Sequence, residues 1–262
     1  MSARPLCGLL LVMAGTLLCG CTTPSQEVPL AATAATAAPV FERVPLHTDL
    51  DLTRTLNVGF LIVDGVYNSE LMAPYDIFHH TVFHTDPLPG MEVFTVAPTL
   101  EPVTSFEGLK ILPHYSYVDH PPIDVLVVPS AEGSMDEDLQ DEAMMAWVKK
   151  VGGEASFVLS LCDGAFVLAE AGLLKGRAAT TFPGDQDRFA EMFPDIDLRR
   201  GPSFVHDGLA ITGQGGAKSY DPAMYLVDHL YGEKVARGVG RGMVIDWPPA
   251  GVTPLSPGAA NP

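Results

Sequence analysis

Apolar residues along this 262-residue chain gather into short continuous runs separated by stretches with helical spacing. Asn57-Val58-Gly59-Phe60-Leu61-Ile62-Val63 is nearly all apolar over a strand's length, as expected of a strand covered on both faces. Comparable runs recur at Glu92 to Ala97, Val125 to Val128, Phe157 to Leu161, Ala178 to Thr181 and Leu209 to Thr212. Between several of them the spacing predicts helices over about Glu70 to His80, Asp138 to Val151, Gly164 to Leu174, Gln186 to Phe193 and Asp221 to Tyr231. In the last, Asp221 stands where it can cap, Pro222 takes the first helical position, and Met224, Val227 and Leu230 share a face. The 138–151 helix is expected to stop at Gly152-Gly153, and Val103 to Tyr117 reads as a small hairpin or irregular excursion. Strands alternating with helices imply an α/β fold, a mostly parallel sheet between helix layers, with ligands bound beyond the carboxyl ends of the strands.

The two ends of the chain have a different texture. Leu9 to Leu18 is an apolar stretch behind a single basic residue, Arg4, the length of a signal-peptide core and short for a permanent span. Leu18-Cys19-Gly20-Cys21 resembles a bacterial lipobox, which implies that residues 1–20 are a signal peptide and that Cys21 becomes the lipidated N-terminus; a secretory signal cleaved nearby is the plainer alternative. Residues 21–55 include the Ala/Thr/Pro-rich run Ala31 to Pro39 and read as a flexible tether reaching on the order of 30 Å. Residues 248–262, rich in Pro, Gly and Ala, read as a disordered tail. One domain, about residues 56–247, lies between, with no internal repeat.

The formal charge of −17 becomes −18 when residues 1–20 leave, because they hold Arg4 and no acid. Such a surface repels phosphate backbones and anionic headgroups, so no nucleic-acid partner is expected, and the membrane is reached through the N-terminal lipid only. That lipid would place the protein in a bacterial cell envelope, on the periplasmic side of the outer membrane in a Gram-negative host. With Cys21 lipidated, Cys162 is the one free thiol left in the mature chain and no internal disulfide can form.

Cys162 ends the run Phe157 to Leu161 and opens Asp163-Gly164-Ala165-Phe166-Val167-Leu168, a buried strand turning abruptly into a helix. At such a turn the sulfur lies beside unpaired helix N–H groups, which favour thiolate and can stabilise an oxyanion. A buried cysteine can also be plain packing. Asp163-Gly164, unusual inside a packed element and suited to a tight turn, favours the reactive reading. His114, His206 and His229 fall in loops, strand ends or a late helix and read as surface or packing residues; His80 and His84 share a helix face without a cluster to complete a metal site; Arg199-Arg200 reads as a basic surface pair. Neither a metal nor an organic cofactor is expected.

The block Leu161 to Thr181, with Gly59 to Gly65 and Asp207 to Gly213, closely resembles the nucleophile region and flanking strands of the ThiJ/PfpI family in the class I glutamine amidotransferase-like superfamily, nearest its isonitrile hydratase-like branch. The resemblance implies a flavodoxin-like three-layer sandwich with a nucleophile elbow, often a homodimer, acting on a small-molecule substrate or ligand. It places Glu70 as the acidic partner of Cys162, and the backbone N–H groups of Asp163 and Ala131 as an oxyanion hole. Two positions depart from the family. Phe182 stands where many members have a histidine, and Ser130-Ala131 replaces a Gly-Gly pair. Three functions remain open on this reading: cysteine chemistry of hydratase, glyoxalase or amidohydrolase kind; a binding module with a degenerate site; and a redox reporter in which oxidised Cys162 is held by Glu70.

Overall fold

A computed structural model describes residues 50–248 and the backbone of Val40–Glu42. The lipobox at Cys21, most of the expected tether and the tail beyond Pro248 lie outside the described residues. The elements are, in chain order, β1 (Val40–Glu42), β2 (Leu56–Leu61), α1 (Asn68–His80), β3 (Met91–Ala97), β4 (Val103–Thr104), β5 (Lys110–Ile111), β6 (Tyr115–Ser116) and β7 (Val125–Val128). There follow α2 (Glu142–Glu154), β8 (Phe157–Leu161), α3 (Gly164–Glu170), β9 (Ala178–Ala179), α4 (Gln186–Met192) and β10 (Asp197–Leu198). The last are β11 (Phe204–Asp207), β12 (Ala210–Gly213), α5 (Tyr220–Tyr231) and α6 (Glu233–Met243).

Among the described residues the main sheet has eight strands, in the order β1-β11-β12-β8-β7-β2-β3-β6. Its parallel centre, β3-β2-β7-β8-β12, follows the flavodoxin-like order, in which the direction of winding reverses between the first and third strands, here β2 and β7. β11 turns back on β12 antiparallel, and β1 lies parallel to β11. Strand side chains divide by alternation. Phe60, Val127, Leu159 and Ile211 stand in register and join one core with residues of α1, α5 and α6, whereas Leu126, Val128 and Val158 join a second core with α2, α3 and Phe189 of α4. Both faces are therefore apolar, which is why the strand runs show no polar alternation.

Several elements differ from the sequence-based expectation. β1 and the partly buried Leu50 and Leu52 belong to the fold rather than to a tether, and Arg54 pairs with Asp124 at 2.5 Å, so the domain begins before Leu56. Helix α2 runs through Gly152-Gly153 to Glu154, because Gly152 gives room to the Leu173 side chain, which a Cβ there would meet at 2.5 Å. Its predicted first turn is a separate 3-10 turn, Asp138–Gln140, and Asp141 caps α2 by accepting from Ala143 and Met144 N–H. α3 ends at Glu170, not Leu174: Gly172 adopts φ +80°, and Leu173 N–H and Gly172 N–H close on Leu168 and Ala169 carbonyls in a Schellman motif. The strand expected at Ala178–Thr181 is two residues long and pairs with β10 outside the main sheet. In α5 the N-cap is Ser219, while Asp221 sits in the first turn beside Lys218. β11 and α6 had no sequence counterpart.

Gly164 holds α3 against the sheet: a Cβ there would overlap the Val128 carbonyl oxygen, backbone that cannot swing aside. Gly164→Ala is expected to destabilise the chain by about 2 kcal/mol, a Tm loss of roughly 4–8 °C. Gly153→Ala, in a helix with open space at that position, is expected to raise Tm by roughly 1–4 °C through helix propensity. Thermal unfolding followed by circular dichroism compares the two, and shifts of the same sign would refute this account of the packing.

Candidate active site

The β8–α3 turn puts Cys162 at φ 54°, a left-handed conformation that costs a non-glycine residue roughly 1–3 kcal/mol. Its neighbours hold it there. Cys162 N–H donates to the Gly213 carbonyl at 2.9 Å, and its own carbonyl accepts from Thr181 Oγ1 at 2.9 Å and Ala165 N–H at 3.3 Å. Gly215, at φ +81°, lies so close that a Cβ would strike Cys162 Cβ and sit 2.7 Å from Glu70 Oε1. The thiol is 8 % exposed.

Glu70, on the first turn of α1, enters from across the sheet and is 4 % exposed. Its Oε2 accepts from Ser130 N–H at 3.0 Å and its Oε1 from Gly216 N–H at 3.2 Å. The Cys162 side chain is its neighbour across Gly215. Burial raises its pKa above the ordinary carboxylate value, against the two backbone N–H groups, which favour the charged form. Ser130 follows β7, Cys162 follows β8 and Gly216 follows β12, so the site collects carboxyl ends of strands next to the place where the winding reverses.

Asp163 faces the same sulfur. Cys162 Sγ lies 3.6 Å from Asp163 Oδ2, and Asp163 Oδ1 accepts from Thr181 Oγ1 at 3.1 Å. Burial first, then the charge of Asp185, pushes the Asp163 carboxyl up to about 7. The thiol is pushed well above its usual value by burial and by the Glu70 and Asp163 charges, and Asp163 N–H, directed at the sulfur, only partly opposes them. The expectation of a thiolate favoured by a helix N-terminus is corrected accordingly: burial first, and then the anionic neighbours, favour the thiol over the partial opposition of one N–H.

The second expected oxyanion-hole position is occupied by a side chain of this protein. Ala131 N–H donates to Ser134 Oγ at 2.8 Å, and Ser134 Oγ lies 3.5 Å from Asp138 Oδ2, so an oxyanion would have to displace that hydroxyl. Among the other candidates, His114 bonds Thr95, and His206 is buried between Tyr225 Oη at 2.7 Å and the Gly208 carbonyl at 2.9 Å, with burial holding its imidazole down at about 3. His229 stacks on Tyr225, while Arg199 and Arg200 pair with Asp197 and Asp187. His80 Nδ1 meets the Asp76 carbonyl oxygen, and the His84 ring packs against Gly238. Among the described residues no group of three or more His, Cys, Asp or Glu could hold a metal ion.

Sequence reasoning missed Tyr67, Thr181 and the Gly215-Gly216 wall. Tyr67 stacks on Phe106 with ring centroids 4.5 Å apart, and burial followed by the charges of Cys162 and Glu70 keeps its phenol protonated and able to donate. The glycine cluster Gly213-Gln214-Gly215-Gly216 at the end of a strand was the available signal, since close backbone approaches gather there. Phe182 follows Thr181, is 44 % exposed and cannot carry a proton.

The chain is similar to several known proteins. An isonitrile hydratase of Pseudomonas putida is 33% identical over 184 residues, 70% of this chain and 75% of that protein. An HTH-type transcriptional regulator of Pseudomonas aeruginosa, CdhR, is 33% identical over 103 residues, which are 39% of this chain and 30% of the regulator. The crystal structure of a ThiJ/PfpI family protein from Pseudomonas syringae superposes with a TM-score of 0.67 at 27% identity, over 79% of this chain and 81% of that one. A sequence profile of the DJ-1/PfpI family matches residues 57–228, the span that contains Glu70, Ser130, Cys162 and Asp163, and the chain belongs to that family.

Proposed function

We propose that this protein is an envelope-tethered enzyme in which the Cys162 sulfur adds to an electrophilic carbon of a small molecule while Glu70 carries a proton to and from the adduct. The observation that carries the reading is the strained turn that presents Cys162 to a carboxyl anchored on two backbone N–H groups. Burial raises the Glu70 carboxyl and so favours the protonated form that can donate to developing negative charge, and its conjugate base can take the proton back. The Tyr67 phenol, held protonated by burial and by the charges of Cys162 and Glu70, is available as a second donor. With Phe182 in the histidine position, hydration or an internal rearrangement suits the site better than peptide hydrolysis, whose amine leaving group needs a stronger proton donor. The likeness to isonitrile hydratase supports a carbon electrophile of that class; 2-oxoaldehydes demand the same chemistry.

The phenylalanine and the neutral thiol favour a second reading, a ligand-binding or redox-sensing module without turnover, and the likeness to a transcriptional regulator agrees with it. Turnover separates the two. The full chain is expected to convert an alkyl isonitrile or methylglyoxal; Cys162→Ser should abolish conversion, and Glu70→Gln should lower kcat by roughly 10²–10⁴-fold with an unchanged circular dichroism spectrum. A folded wild-type protein inert toward both compounds would leave the binding reading in place.

The tether is tested separately. Expressed in a bacterium fed a clickable palmitate, the chain should take up label and sediment with membranes, and Cys21→Ser should release it unlabelled. An unlabelled wild-type protein would end the lipoprotein assignment.

A further inference from the structure

The proposed chemistry requires something to remove the thiol's own proton, and this inference rests on that reading. We infer that Asp163, through Oδ2, is the base that takes the Cys162 proton as sulfur attacks, filling the role left open by Phe182. Two independent features of the geometry support it. Oδ2 is the carboxylate oxygen that faces Sγ, at 3.6 Å. On the other side, Thr181 Oγ1 stands 3.1 Å from Oδ1 and 2.9 Å from the Cys162 carbonyl. A hydroxyl placed so serves both states of the acid. It donates to Oδ1 of the ionised acid, and with the proton on Oδ2 the Oδ1 atom still accepts, so the hydroxyl can donate there or to the Cys162 carbonyl, which also accepts from Ala165 N–H. Neither state leaves a buried polar group unpaired, so the carboxyl can exchange its proton without rearranging the turn.

Glu70 is less suited to this step. Both its oxygens are taken up by backbone N–H groups, at 3.0 and 3.2 Å, whereas Asp163 turns Oδ2 to the sulfur and keeps only Oδ1 for Thr181. The groups that face Asp163 are Cys162 on its own turn, Glu70 and Tyr67 from the α1 end, and Asp185 and Arg188 at the start of α4. Arg188 is drawn to Asp136 at 2.7 Å, and burial first, then the charges of Asp185 and Glu70, raise the carboxyl to about 7, where a base is half ionised at neutral pH. For an aldehyde substrate the S–H bond breaks and its proton goes to Oδ2. The sulfur pair forms the S–C bond, the C=O π pair moves onto oxygen, and that oxygen takes the proton of Glu70. Atoms and charge balance without a further reactant.

The sign of one substitution decides the matter. If Asp163 acted only as a negative charge, Asp163→Asn would make the thiol easier to ionise and speed its alkylation. As the base, its loss slows the reaction. Iodoacetamide alkylation of Cys162 in the full chain, followed by mass spectrometry across pH, is expected to rise through a midpoint near 7. Asp163→Asn should remove that step and cut the rate at pH 7.5 roughly 10-fold or more. Thr181→Val, which takes away the donor to Oδ1 and leaves the carboxyl in place, should move the midpoint upward. A rate in Asp163→Asn equal to or above wild type, or an unmoved midpoint in Thr181→Val, would overturn the assignment. Since alkylation needs no substrate, this failure is distinct from failure of the enzyme reading: an absence of turnover beside a lost alkylation step would leave Asp163 as the acceptor, and turnover beside an unchanged step would dismiss Asp163 alone.

Discussion

The approach of α3 to the end of β7 is the constraint on which the rest of the site depends. With only hydrogen on Gly164 Cα, the first turn of α3 presses against the Val128 carbonyl, and the chain leaving β8 must reverse within Cys162-Asp163. That reversal is what takes Cys162 into the left-handed region and turns its side chain out of the core. Gly215 closes the other side, where a Cβ would strike Cys162 Cβ. Hydrogen bonds to Gly213 and Thr181 offset the strain, and so a sulfur that would be inert inside a strand stands among groups that can exchange protons with it.

Three acids share this small volume, and their electrostatics set its character. Two carboxyls and a thiol, each more than nine-tenths shielded from water, cannot all carry charge, and burial favours the neutral form of every one. The pocket is better described as a store of protons than as an activated thiolate. The backbone N–H groups of Ser130 and Gly216 anchor one carboxyl, and Thr181 orients the other toward the sulfur, so the two carboxyls are alike in kind and different in placement.

The central sheet was legible in the sequence because strands apolar on both faces announce themselves as unbroken runs, and the turn at Cys162 was legible because a strand and a helix meet there without a linker. Legibility failed where packing overrides local preference. α6 carries Gly238, Gly240 and Gly242, residues that argue against a helix, yet Gly238 meets His84 and Gly240 meets the Ile245 carbonyl at distances that exclude a Cβ. The end of α2 was misplaced for the same reason. At the site, Cys162 and Glu70 could be named from local pattern and family resemblance, but nothing in Ala131-Glu132-Gly133-Ser134 says that the serine folds back onto the alanine N–H. Nor does Asp163 beside a cysteine reveal that Thr181, eighteen residues on, will orient it.

The short strand β1 carries a consequence for how copies of this protein behave toward one another. Val40, Phe41 and Glu42 lie in register against Val205, His206 and Asp207, covering the outer ladder of β11. An uncovered β11 would end the sheet in a row of free amide and carbonyl groups flanked by the buried Phe204 and Val205, the kind of margin on which molecules stack edge to edge. A polypeptide opening at Leu56, where composition alone draws the boundary, would bare that margin, and its tendency to aggregate would come from the missing cover and not from any weakness in the core.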